Sequence, residues 1–194
     1  MEVMAKMNVI ETVFDNVNIV EPDVYKDYRG FFKESYNKKV FGQLQVPYQF
    51  VQDNISKSVE AGTIRGLHFQ INPKAQTKLV QVIQGVIFDV IVDLRKGSPT
   101  YKKWQGFILS EYNHRQLLVP KGYAHGFCTL VPNTIVMYKV DEHYDFQHDS
   151  GIRWDDEEIQ IDWPVKYPIL SDKDQSLPSL QDGNHNFYFR EKRT

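Results

Sequence analysis

Apolar and polar residues alternate along most of the chain with a period of two, in short runs broken by Gly, Pro, Asn and Asp. The clearest run is Leu79 to Leu94, LVQVIQGVIFDVIVDL, rich in Val and Ile and interrupted at Gln84-Gly85. That break predicts a tight turn between two paired strands. In its second arm Val86, Phe88, Val90, Val92 and Leu94 share one face, and Ile87, Asp89, Ile91 and Asp93 share the other. Shorter strands are predicted over Trp104–Leu109, Arg115–Val119, Tyr123–Leu130 and Thr134–Val140, set apart by Asn113, Pro120-Lys121-Gly122 and Pro132-Asn133. Upstream, Val9 to Tyr36 carries strand and hairpin signals around Glu21-Pro22-Asp23 and Asp27-Tyr28-Arg29-Gly30. Tyr48 to Ser56 resumes the alternation, with Gln52, Asn54 and Ser56 on one face and Val51, Asp53 and Ile55 on the other. Helical signals are few. Asn37 to Gln45 has a capping Asn37, Gly42 near its end and Pro47 against continuation, and Asp155 to Glu158 reads as one helical turn stopped by Trp163-Pro164. Many short strands at such spacing predict an all-β fold, a sandwich or barrel with a few short helices, rather than a βαβ fold. The polar tail from Gln181 to Thr194 is expected to be mobile despite its Phe and Tyr.

Length and charge narrow the function classes. The 194 residues suit one well-packed core, so a single domain over 1–194 is expected. A net charge of −2 argues against a nucleic-acid partner or an anionic membrane surface, but leaves room for a small phosphorylated ligand held by a few local Arg and Lys. The single cysteine, Cys128, excludes an intrachain disulfide and fits a reducing compartment. Met1 to Ile10 lacks the apolar core of a signal peptide, and no apolar run has the length of a membrane span, so a cytoplasmic location is expected.

Candidate chemistry gathers first in Gly62 to Lys78, where Arg65, His68 and Lys78 offer an anion clamp, a base titrating near neutrality and a fixed cation. Each has a plain alternative, a satisfied strand His and solvated Arg and Lys. Alternation places Gly66 and His68 on one face and Arg65 on the other, so a shared ligand requires a bulge or twist near Gly66. A second signal is Pro120-Lys121-Gly122-Tyr123-Ala124-His125, a tight turn that sets His125 just inside the following strand. This resembles the second sequence motif of the cupin jelly rolls. The first cupin motif would hold a His-x-His pair and a Glu as metal ligands, but here Phe69 and Gln70 follow His68, and His114, His143, His148 and His185 lie at no such spacing. The expectation is a cupin barrel without a metal. Taken singly, Tyr138 is a core aromatic, Asp174 a turn or cap residue, and Arg29 with Glu34 an exposed strand pair.

In order along the chain, Arg29-Gly-Phe-Phe with Glu34, Gln52-Asp53-Asn54, Arg65-Gly-Leu-His68, the Lys78 strand, Pro-Lys-Gly-Tyr-Ala-His125-Gly-Phe, Met137-Tyr138-Lys139 and Leu170-Ser-Asp-Lys-Asp174 resemble the dTDP-4-dehydrorhamnose 3,5-epimerase family. The resemblance runs from about Ile10 to Pro178. It implies a cupin-like jelly-roll β-barrel and an isomerase acting on a dTDP-linked sugar without cofactor or metal. It implies His68 as general base held by Asp174, Tyr138 as general acid, and Lys78 as the cation beside the C4 ketone oxygen. Arg29, Glu34, Gln52, Asp53, Asn54, Arg65, His125, Asp149 and Lys173 match nucleotide-sugar contacts. It further implies a homodimer whose N-terminal strand region crosses to the partner, which the crowding of Phe14, Tyr25, Tyr28, Phe31, Phe32 and Tyr36 in the early strands also favours. Rival readings on the same scaffold are a single-centre epimerase or a ketoisomerase. A non-catalytic sugar-binding cupin would need neither Tyr138 nor His68, and a metal-dependent cupin oxygenase lacks its ligands.

Overall fold

A computed structural model describes residues 7–44, 46 and 48–190. Along the chain come β1 (Met7–Glu11), β2 (Asn18–Pro22), β3 (Val24–Asp27), β4 (Gly30–Lys33), α1 (Lys38–Gln43), β5 (Gln52–Ser58), β6 (Ile64–Gln70), β7 (Lys78–Gln84) and β8 (Val86–Asp93). Then follow β9 (Trp104–Ser110), β10 (Gln116–Val119), β11 (Tyr123–Thr129), β12 (Thr134–Val140), β13 (Asp149–Gly151) and α2 (Asp172–Gln175). One sheet runs β1-β2-β10-β7-β12-β5 and a second runs β13-β6-β11-β8-β9; β3 and β4 form a separate hairpin. All pairings between the named strands are antiparallel. The all-β expectation therefore holds.

The two sheets face each other across a core that takes Val80, Val82, Leu117 and Val136 from the first and Ile87, Ile91, Leu109 and Phe127 from the second. The outer face of the second sheet is covered in turn. Val90, Val92 and Leu94 pack there with Ile152, Trp163, Leu180 and Phe187 from the C-terminal segment. The two faces read from the sequence of β8 thus go into two different cores, which is why both are apolar. On the outer face of the first sheet, Val20, Leu79 and Leu118 meet Val40 and Phe41 of α1. Asn37 caps that helix, its side chain accepting from the N–H groups of Lys39 and Val40. Gln45 and Pro47, which were expected to end it, lie outside the described residues.

Three sequence expectations are corrected. Gln84-Gly85 does not join paired strands: β7 and β8 lie in different sheets, and the chain crosses between them at Gly85. The crossing needs glycine, because φ is +90° and a Cβ there would fall 2.4 Å from Thr134 Oγ1. Asp155–Glu158 forms a turn rather than a helix, with Asp156 Oδ1 accepting from the N–H groups of Glu158 and Ile159. The helix lies downstream, over Asp172–Gln175. The tail is packed as far as it is described. Phe187 is buried edge-on against Phe69, Lys96 donates to the Phe187 carbonyl and accepts from the Phe189 N–H, and the Arg95 guanidinium lies between the Tyr123 and Phe189 rings. Apolar burial and cation–π contact outweigh the polar composition of the segment. Residues 191–194 lie outside the described range. Among the described residues no helix is long and apolar enough to cross a membrane.

Candidate active site

The irregularity expected near Gly66 is present, and it builds the site. In β6, Arg65 pairs with Phe127 and His68 with His125, so Gly66 and Leu67 stand opposite the single residue Gly126. The extra residue shifts the alternation by one. Ile64, Leu67 and Phe69 enter the outer core, whereas Arg65 and His68 both turn inward. Gly66 has φ +125°, and a Cβ there would lie 2.6 Å from Gly126 Cα and 2.8 Å from the His125 carbonyl oxygen.

Arg65 and His68 line a cavity of about 260 Å³ between the two sheets, together with Ser56, Lys78, His125, Phe127, Tyr138, Ser171, Lys173 and Asp174. A recess of about 160 Å³ shares His68, Lys78, Tyr138 and Lys173 with it and adds Gln52, Asn54, Gln70, Gln76, Tyr144 and Asp149. His68 comes from the second sheet, while Lys78 and Tyr138 come from β7 and β12 of the first. His68 Nε2 lies 2.5 Å from Asp174 Oδ1, which leaves Nδ1 as the ring nitrogen free to accept a proton. The carboxylate is buried and fixed from its other side by Ser171, whose Oγ donates to Oδ2 at 2.9 Å. Burial pushes the Asp174 carboxyl up, but the hydrogen bond and charge of His68, the Ser171 hydroxyl and Lys173 outweigh it and hold the group below the usual carboxylate range.

Lys78 lies between the other two. Its Nζ is 3.3 Å from the His68 carbonyl oxygen and 5.9 Å from the centre of the Tyr138 ring. Loss of hydration brings its ammonium down to about 8, although Asp149 and Asp89 oppose the shift. The Tyr138 phenol is pushed up by burial, so it stays protonated over the neutral range. Facing them, His125 Nε2 lies 2.9 Å from both oxygens of Asp89, a carboxyl with no exposed surface whose burial raises its pKa against the pull of His125 and Lys78. Along the recess Gln52 Nε2 donates to Asn54 Oδ1, and Asp149 pairs with Lys173 at 2.5 Å. Arg65 is braced by Ser58 Oγ and the Lys57 carbonyl.

Of the thirteen residues expected at the site, ten therefore come together: His68, Lys78, Tyr138, Asp174, Gln52, Asn54, Arg65, His125, Asp149 and Lys173. Asp53 does not join them. Strand alternation turns it to the outer face of β5, where it pairs with Lys139 at 2.8 Å. Nor do Arg29 and Glu34 reach the cavity of their own chain. Arg29 sits on the β3–β4 hairpin, paired with Asp27 and largely exposed. Glu34 follows that hairpin next to Ser35, whose carbonyl covers Gln116 on β10, and its Oε1 is buried without a hydrogen-bond partner among the described residues. Among the residues not anticipated are Asp89, Ser171, Gln70 and Tyr144. Asp89 had a signal, a carboxylate in the middle of an apolar strand; Ser171 had another, the cap spacing Ser-x-x-Asp.

Among the described residues no three His, Cys, Asp or Glu side chains gather as a metal site would require. The second His of a cupin metal motif is replaced by Gln70. What the cavity offers is an imidazole on one sheet, a phenol on the other and a desolvated ammonium between them.

Sequence and structure comparisons identify the family. The profile of the family described as dTDP-4-dehydrorhamnose 3,5-epimerase matches residues 11–182. A relative from Shigella flexneri bearing that description is 52% identical over 180 residues, which cover 92% of this chain and 99% of the relative. A crystal structure of the Bacillus anthracis enzyme with TDP and PPi bound is 69% identical, with a TM-score of 0.87, and the match covers 89% of this chain and 99% of that one. The Legionella pneumophila enzyme, solved in complex with dTDP-4-keto-L-rhamnose, is 43% identical with a TM-score of 0.86, covering 91% of this chain and 94% of that one. With that profile matched over most of its length and these identities to its members, the chain belongs to the dTDP-4-dehydrorhamnose 3,5-epimerase family.

Proposed function

We propose that the protein inverts C3 and C5 of dTDP-4-dehydro-6-deoxy-D-glucose to give dTDP-4-dehydro-L-rhamnose, by removing a proton next to the C4 ketone and returning one to the opposite face. The observation that carries this reading is the placement of His68 and Tyr138 on opposing sheets with Lys78 between them. A sugar ring in the gap would meet the base on one face and the acid on the other. Both carbons flank the same ketone, so one cation at its oxygen serves both enolates.

The energetics show why the cavity must be dry. If base and C–H acid differ by ~10 pKa units, the enolate lies about 14 kcal/mol uphill. A single donor at the developing oxyanion contributes roughly 3–4 kcal/mol. The remainder is assigned to the desolvated surroundings, in which charge–charge interactions strengthen. The depressed Lys78 ammonium reports that desolvation. Arg65, Lys173 and His125 supply cationic or hydrogen-bonding groups for the diphosphate, and Gln52, Asn54 and Asp149 polar contacts along the recess.

The assembly we propose is a homodimer in which the β3–β4 hairpin brings Arg29 and Glu34 to the partner's cavity. The exposure of Tyr25, Tyr28, Phe31 and Phe32 supports it, as do Ile55 and Ile83 exposed on the first sheet. A reducing, cytoplasmic setting fits the buried free thiol of Cys128.

The test is deuterium uptake from D₂O at C3 and C5 of dTDP-4-dehydro-6-deoxy-D-glucose, with configuration read by NMR. The wild-type protein should exchange and invert both centres; exchange at one centre alone would make it a single-centre epimerase. Tyr138→Phe keeps the base, so it should exchange while largely retaining configuration. His68→Asn should do neither. A Tyr138→Phe variant that inverts as fast as it exchanges would remove Tyr138 as the acid.

A further inference from the structure

Gln70 ends β6 two residues beyond His68, on the same side of the strand. It is 3% exposed, and its amide is engaged at both ends. Nε2 donates to the carbonyl oxygens of Lys74 at 2.6 Å and His143 at 3.2 Å, and Oε1 accepts from the Asp145 N–H at 2.7 Å. These partners lie on two loops. One, residues 71–77, delivers Lys78 to β7; the other, residues 141–148, joins β12 to β13 and carries Tyr144 onto the recess just before Asp149. From there the contacts continue along the recess wall. The Tyr144 N–H donates to Gln52 Oε1, its hydroxyl donates to Asp149 Oδ2, and Asp149 holds Lys173.

We propose that Gln70 is a positioning residue for ligand binding, fixing the 141–148 loop so that Tyr144 and Asp149 meet the part of the nucleotide sugar beyond the reacting carbons. The inference rests on the epimerase reading given above. Only a primary amide suits the place: it gives two N–H groups to two carbonyls and one oxygen to an N–H. A carboxylate would set an oxygen against both carbonyls, and an apolar side chain would leave three backbone groups without their partner. His68 takes its orientation from Asp174 on α2, and Lys78 is held within β7 by pairing with Val119 on one side and Val140 on the other, so neither depends on these loops. Loss of Gln70 therefore acts on binding and leaves the chemical step standing.

The experiment measures dTDP affinity by calorimetry, and kcat and KM by deuterium uptake, for wild type, Gln70→Met and Gln70→Glu. Both variants should raise Kd for dTDP and KM by at least about tenfold while kcat stays within about threefold, the scale set by unpaired backbone groups. Burial against two carbonyl oxygens raises a carboxyl at this place, so Gln70→Glu should recover affinity as pH falls from about 8 to about 5.5 and the protonated group again donates to the Lys74 carbonyl; Gln70→Met should not. A smaller rise in Kd, a larger fall in kcat, or no recovery in Gln70→Glu overturns the proposal. Should neither variant fold, amide exchange in the wild-type protein decides: the Asp145 N–H should be protected by at least about a hundredfold, and an unprotected amide overturns it. Wild-type protein that binds dTDP yet takes up no deuterium would sink the epimerase reading instead, and the dTDP titrations would still judge Gln70.

Discussion

The depressed ammonium of Lys78 sets the sharpest quantitative expectation. If that cation stabilises the enolate, activity must follow its protonation. With a value of about 8, the amine is about 91% charged at pH 7 and about 9% charged at pH 9, so kcat/KM should fall roughly tenfold across that interval. Neither Tyr138 nor Asp174 titrates across this limb. The Tyr138 phenol is raised by burial, and the Asp174 carboxyl is held low despite burial by His68, Ser171 and Lys173. Bound diphosphate adds negative charge near Lys78, so the alkaline limb in kcat should lie at higher pH than the limb in kcat/KM. Lys78→Arg supplies the control, since a guanidinium stays charged throughout. It will be slower, but its profile should lose the limb.

Stability moves in the opposite direction, which separates this effect from alkaline unfolding. The folded value lies below the ordinary 10.5, so the unfolded chain binds more protons between about pH 8 and 10.5. The cost of keeping a desolvated ammonium is fully present below pH 8 and is relieved as pH rises through that window. Lys78 therefore contributes an increase in stability where activity falls. The assay is a pH–rate profile with a denaturant midpoint at each pH. Activity that stays flat to about pH 9.5, or a limb that persists unchanged in Lys78→Arg, would show that the titrating group is another.

Two further expectations follow from the architecture. Gly66→Ala forces a Cβ against the backbone of Gly126 and His125 at a φ of +125°, and should destabilise the fold by more than about 2 kcal/mol in denaturant titration while lowering activity; a change below about half a kcal/mol would show that β6 can relax. If Arg29 serves the partner's cavity, Arg29→Ala and His68→Asn chains, each inactive alone, should recover about a quarter of wild-type activity when mixed and reassociated, since about half the dimers are mixed and each holds one intact site of two; no recovery would place Arg29 in its own chain's site or in none.

Local pattern carried much of the fold, and where it failed the missing information was long-range. The faces of β5 and β8 were legible because alternation is a property of one strand. Asp53 shows the strength of that rule. Its expected role came from the match of Gln52-Asp53-Asn54 to the family motif, yet period two had already placed it opposite its neighbours, and the structure follows the period. The sheet assignment of β7 and β8 was not legible. A glycine between two apolar runs marks a change of direction, but which strands pair depends on partners far along the chain, such as β12 beside β7 and β11 beside β8. The tail was misjudged for a related reason. Its composition is polar on average, while burial of the single residue Phe187 and the seat of Arg95 between two rings decide where it lies.

The site was legible to the extent that its chemistry violates the pattern around it. Arg65 and His68 cannot both face one cavity on a regular strand, and the glycine between them removes that contradiction by admitting an extra residue opposite Gly126. Asp174 had no such mark, because a capping position explains it completely. Its partner is 106 residues away, and only folding of α2 against β6 brings the two together. The same holds across the gap between the sheets. His68 belongs to one sheet and Tyr138 to the other, so the proposed base and acid face each other only once the sandwich has closed. That closure removes water from Lys78 and depresses its ammonium, and in the proposed reaction it also gives the cation its leverage on an enolate. Packing of the two sheets and activation of the substrate are thus one physical event seen from two sides.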